Sequence, residues 1–92
     1  MKPMSHHETA DGYARTIANI NADWRVIVCR GNHQWIAQHV KKSRAGRRWQ
    51  AVRFFRTKNA LIQFVTASCG EIDPTARAIL DSLPEFFGGR TT

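Results

Sequence analysis

The chain is expected to fold as an α+β domain, with a three-stranded antiparallel meander packed on one face by two C-terminal helices. Three observations carry this expectation. β-Branched and aromatic residues concentrate between Trp24 and Arg56, in runs separated by glycine-bearing turns. Apolar residues then recur at helical spacing after Thr57, and again after Asp73-Pro74, which combines an N-cap with a first-turn proline. The 92 residues suffice for one hydrophobic core and not for two. A single domain over residues 9–88 follows, with flexible tails at 1–8 and 89–92.

From Thr9 to Ile20, Ala10, Tyr13, Ala14 and Ile17 fall on one helical face. A short N-terminal helix is expected there, although Gly12 costs it up to about 1 kcal/mol relative to alanine. Asn21-Ala22-Asp23 reads as a turn. Trp24 to Val28 is the first strand, and Gly31-Asn32 suits a two-residue type II′ hairpin. That turn sets Val28 opposite Trp35, Ile27 opposite Ile36 and Val26 opposite Ala37. One face then carries Trp24, Val26, Val28, Trp35 and Ala37 and is the expected core side. The other carries Arg25, Ile27, Cys29, Gln34, Ile36 and Gln38.

The second strand, from His33 to Val40, leads into a basic turn that bends at Gly46. The third runs from about Arg47 to Arg56, and its two alternating sets both mix apolar with polar residues, so its inward face is left open. Thr57 is the expected N-cap of a helix striped by Leu61, Ile62, Phe64 and Val65 and ended by Gly70. A second helix starts at Asp73-Pro74, buries Ala76, Ile79, Leu80 and Leu83, and stops at Pro84. Phe86-Phe87 should fold back on the core.

Charge is unevenly distributed. The net charge is +7, and no acidic residue lies between Trp24 and Gly70. In that stretch lie Arg25, Arg30, Lys41, Lys42, Arg44, Arg47, Arg48, Arg53, Arg56 and Lys58. Such segregation builds a positive field that attracts polyanions. No apolar run approaches the roughly 18–20 residues of a membrane span, and the first eight residues lack the apolar segment of a secretory signal. A soluble cytoplasmic protein is expected, with Cys29 and Cys69 reduced and partly buried.

Other chemistries find little support. Cys29, His33 and His39 have spacings C-x3-H and H-x5-H without the second close pair of a structural zinc site, so no metal is expected. Ser43, Ser68 and Ser82 sit in no nucleophile elbow, the glycines form no phosphate-binding fingerprint, and the central region lacks carboxylates. No enzymatic activity and no cofactor are expected.

Arg47-Arg48-Trp49 and Arg53-Phe54-Phe55-Arg56 interleave cations with flat rings. Cations neutralise phosphates and an exposed ring stacks on a base, though rings in a strand more often pack in a core. Three strands followed by a helix entered through Phe55-Arg56-Thr57-Lys58-Asn59-Ala60, with Trp35-Ile36-Ala37-Gln38 in the second strand, resemble the plant ethylene-response-factor DNA-binding domain. The same outline is similar to the arm-binding domains of phage and transposon integrases. The resemblance spans Arg25 to Ser68. It implies a sheet that enters the major groove, with Arg25, Arg53 and Arg56 as contacts. The apolar Val26-Ile27-Val28 departs from the several basic residues those families carry in the first strand. The strand-and-helix order is also similar to double-stranded RNA-binding domains, without their basic second-helix motif.

The leading expectation is therefore a non-enzymatic accessory protein that binds nucleic acid, DNA ahead of RNA. Lys41, Lys42, Arg44, Arg47 and Arg48 would hold phosphates, with Arg53, Arg56, Lys58 and Arg25 extending the patch. The alternative is an inhibitor or adaptor that docks an acidic protein partner, with Trp49 or Phe54 as an apolar anchor. A monomer or a weak homodimer paired through an open edge strand fits either reading.

Overall fold

A computed structural model describes residues 8–88. The chain forms β1 (Thr16–Asn19), β2 (Trp24–Val28), β3 (Trp35–Ser43), β4 (Gly46–Phe55), α1 (Lys58–Ser68) and α2 (Pro74–Asp81). The strands make one antiparallel meander in the order β1-β2-β3-β4. The sheet thus has four strands rather than three, and the N-terminal helix is absent. Residues 8–15 are turns and a bridge, and the next four form β1. Pairing with β1 satisfies the backbone edge of β2, and a bulge at Ile17 lets Ile17, Ala18 and Ile20 all reach the core. The helical spacing read over Thr9–Ile20 contains this shorter alternation, which tertiary pairing selects. The flexible tails expected at 1–8 and 89–92 lie outside the described residues except for Glu8, whose main chain is held in place, as described below.

The β2–β3 register is the expected one: Val28 faces Trp35, Ile27 faces Ile36 and Val26 faces Ala37. The turn differs. Cys29 N–H donates to Gln34 O at 3.0 Å, and Asn32 N–H donates to Cys29 O at 2.9 Å. The residue with positive φ is Asn32, at 57°, and not Gly31. A four-residue loop replaces the two-residue one because asparagine tolerates the left-handed region and Cys29 Sγ accepts the His33 N–H at 3.2 Å. Asn21 Oδ1 accepts from the N–H groups of Asp23 and Trp24, which makes the expected β1–β2 turn.

The helices cover the face predicted as the core side. Ala18, Ile20, Val26 and Trp35 pack there with Leu61, Val65, Cys69, Ala76 and Leu80. Each fully buried Leu or Val contributes about 1.5–3 kcal/mol. Thr57 and Asp73 cap α1 and α2 by accepting from Ala60 N–H and Ala76 N–H, and Gly70 takes φ +73° at the end of α1. Phe87 folds back edge-on to Trp35 at 5.1 Å, whereas Phe86 is exposed.

The opposite face is also closed. Tyr13, Ile27, Cys29 and Ile36 form a second apolar cluster there, under the strap made by residues 8–13. The open question of β4 is answered by a bulge. Gln38 pairs with Ala51 but Ala37 pairs with Arg53, so Val52 is extra. The alternation changes phase at that point, with Trp49 and Ala51 on the strap face and Arg53 and Phe55 on the helix face.

Both cysteines are buried free thiols. Burial pushes the Cys69 thiol up from 9.0 to about 11. An acid whose folded-state pKa is raised contributes its stability in full below the unfolded value and loses it as pH climbs toward the folded one. The Cys69 contribution to unfolding free energy, measured by urea titration of the wild type against Cys69→Ala, is therefore expected to fall by up to about 2 kcal/mol between pH 9 and 11. The decline in stability should be shallower in Cys69→Ala, and parallel profiles in the two proteins would refute this.

Candidate nucleic-acid interface

β3 and β4 continue beyond the rest of the sheet as a two-stranded arm. Val40 and Trp49, directly opposite one another, are buried at its root, and every residue from Lys41 to Arg48 is exposed. Beyond the root the register sets Lys41 opposite Arg48, Lys42 opposite Arg47 and Ser43 opposite Gly46. The Arg44-Ala45 turn is secured by Ser43 Oγ, which accepts the Ala45 N–H at 3.2 Å, and by Gly46, whose φ of +115° disfavours any side chain.

Because side chains alternate, Lys41 and Arg48 project from the helix side of the ribbon, and Lys42 and Arg47 from the strap side. Each pair sets two cations directly across from one another, an arrangement that destabilises a sheet by itself. Counter-charge is sparse. Arg47 lies 3.5 Å from Asp11 Oδ1 and 5.6 Å from the Trp49 ring centre. Among the described residues, no other ion pair touches the arm.

The remaining candidate cations divide. Arg53 and Arg56 are exposed toward and just past the far end of β4, and the register sets Arg53 about 13 Å from Arg48, four residues along β3 at the rise of a strand. The Arg53 guanidinium sits 5.9 Å from the Phe64 ring. Lys58 is half-buried and donates from Nζ to the Asp81 carbonyl, so it bridges α1 to the end of α2.

Arg25 is a correction. It is 1% exposed and cannot reach a groove. Its guanidinium donates to Gln38 Oε1 at 2.7 Å and to the carbonyls of Asp11, Ala10 and Glu8 at 2.8–3.0 Å. It also lies 4.5 Å from the Trp49 ring centre. Burial pushes it down to about 10, which leaves it charged at neutral pH. Arg25 is the staple of the strap, and β2 is covered on both faces around it. A sheet lying flat in a groove, as the family resemblance implies, has no open face over β2.

Trp49 is a second correction. At 4% exposure it cannot serve as an anchor, and its Nε1–H donates to Asp11 Oδ1 at 2.8 Å. Of the two candidate anchors on β4 it is Phe54 that is exposed, as is Val52. The edge of β4 is partly closed, since Thr9 O accepts the Trp49 N–H at 2.9 Å and the chain beyond Phe55 pairs at Thr57 with Phe86. The bulge at Val52 further twists the strand, which limits edge-to-edge pairing with a second copy.

Asp11 is the residue that sequence reasoning missed. Its place beside the arm comes from the strap crossing the sheet, a long-range event with no local signature. Among the described residues, no three His, Cys, Asp or Glu side chains cluster as metal ligands would, and no helix is long and apolar enough to cross a membrane. No family model, no curated protein and no solved structure matches the chain.

Proposed function

We propose that the protein is a small, basic, non-enzymatic accessory protein that binds nucleic acid, DNA ahead of RNA, through the β3–β4 arm. One observation carries the reading: Lys41 is paired across the ribbon with Arg48, and Lys42 with Arg47, on an arm exposed on both faces. Opposed cations in a sheet are unfavourable until a polyanion neutralises them. Nothing in the packing of the core calls for them. The roughly 12 Å wide major groove of B-form DNA admits a two-stranded β-ribbon. The narrow, deep major groove of A-form RNA does not.

The test is a salt titration of binding to labelled duplex DNA, single-stranded DNA and RNA, followed by tryptophan fluorescence. For duplex DNA the log of the association constant should fall with log salt at a slope of about −3 to −5, near −0.9 for each phosphate neutralised. Absence of binding at physiological salt would overturn the reading. A protein partner is the second reading, favoured by Phe54 at 56% and Val52 at 42% exposure on β4. It would take over if one acidic protein bound stoichiometrically, lost affinity in Phe54→Ser, and DNA bound weakly.

A further inference from the structure

Asp11 brings a negative charge to the root of the arm. All seven acidic residues are among those described. Of the two ion pairs there, one joins Arg47 to Asp11, and the other, Arg77 to Asp81, lies on α2. The Asp11 carboxylate is not free to drift. Its own carbonyl accepts from Arg25, as do those of Ala10 and Glu8, and Gln38 Nε2 also donates to Glu8 O. Trp49 donates its indole N–H to Asp11 Oδ1, the same oxygen that faces Arg47, and its backbone N–H to Thr9 O. The strap is therefore tied to the sheet at several points that do not involve the arm.

This inference rests on the arm being the polyanion-binding element. On that basis, we infer that Asp11 is an internal competitor for phosphate. Its carboxylate occupies the Arg47 guanidinium at 3.5 Å, and so limits how tightly the arm holds DNA. The Asp11 and Arg47 side chains are 49% and 44% exposed, so a phosphate can reach this pair from solvent. The strap need not unfold for the exchange, because its ties to Arg25, Gln38 and the Trp49 main chain persist when Arg47 leaves. The competitor acts only at Arg47 and its surroundings. Arg44, three residues further out at the turn, makes no ion pair with Asp11.

The test uses the full chain and a labelled mixed-sequence DNA duplex. Asp11→Asn removes the charge but keeps an oxygen that can accept from Trp49, so the strap stays anchored. Its affinity is expected to rise about two- to fivefold at low salt, the range of one exposed ion pair, with a salt slope steeper by about 0.9. Asp81→Asn makes the same change in net charge away from the arm and should leave affinity unaltered. In an Arg47→Gln background the gain from Asp11→Asn should vanish, since the competitor then has nothing to occupy. Equal gains in Asp11→Asn and Asp81→Asn, or a gain that persists without Arg47, would overturn the inference while leaving the arm a DNA-binding element. If the wild-type protein and Asp11→Asn both fail to bind duplex DNA, the reading of the arm fails and this inference fails with it. Near-ultraviolet circular dichroism of Asp11→Asn reports Trp49 packing and separates loss of the strap from loss of the charge.

Discussion

At physiological salt, a variant with glutamine at Lys41, Lys42, Arg44, Arg47 and Arg48 is expected to bind duplex DNA about a thousandfold more weakly than the wild type and to be no less stable. Each phosphate neutralised contributes about 0.9 to the salt slope. Five such contacts amount to nearly four decades of affinity between 0.15 and 1 M salt, and a thousandfold allows for incomplete engagement. The stability half of the expectation comes from the register. Removing the opposed pairs Lys41–Arg48 and Lys42–Arg47 relieves repulsion of about 0.2–1 kcal/mol each, which offsets the loss of the exposed Arg47–Asp11 pair, itself about 0–1 kcal/mol. Gly46 and Ser43, which shape the turn, are untouched. The two effects have opposite signs, so a simple failure to fold cannot imitate them. Fluorescence titration and urea denaturation on the same preparations measure both. Unchanged affinity and slope would move the phosphate contacts off the arm, toward Arg53 and Arg56.

The second large effect is expected in the core. Arg25→Met should destabilise the protein by about 3 kcal/mol or more, because it strands the Asp11 carbonyl and Gln38 Oε1 and leaves the carbonyls of Glu8 and Ala10 with one donor each, from Gln38 Nε2 and the Tyr13 N–H. At roughly 4–8 °C for each kcal/mol in a domain of this size, the Tm should drop by about 15 °C or more. Arg25→Lys should recover only part of the loss, since an ammonium offers three donors at a point where the guanidinium fork spans four acceptors. DNA affinity of the folded fraction should stay as it is, because Arg25 is sealed beneath the strap. Thermal unfolding followed by circular dichroism, paired with the salt titration, measures both quantities. A small change in stability with a clear loss of affinity would instead mark Arg25 as a groove contact, as the family resemblance implies.

Much of the fold was legible because its signals are local. The cap residues Thr57 and Asp73, the helix stop at Gly70 and the Asn21 turn each act through backbone groups within a few residues. The register of β2 against β3 was also legible, even though the turn was not the one expected. Burial of Val26 and Trp35 together on one face specifies the pairing, whatever path the loop takes. β4 was not legible because its single sequence serves two phases. The bulge at Val52 moves Phe55 to the helix face while Trp49 stays on the strap face, and no fixed alternation fits both.

Ten cations between Trp24 and Gly70 with no acid among them can be read directly from the chain, as can the placing of five of them around the Gly46 turn. The sequence could not tell which of them face solvent. Arg25 and Arg48 are alike as letters, yet one is enclosed by carbonyls and a tryptophan ring and the other stands on an exposed ribbon. That difference was decided by residues 8–13 crossing the sheet, which brought polar main-chain groups to a charge on β2 and one carboxylate to the root of the arm. Burying a charge is tolerable only where partners converge on it, and those partners here come from a segment 14 to 17 residues away in the chain. Spacing along a sequence does not record such convergence. Only the folded chain does.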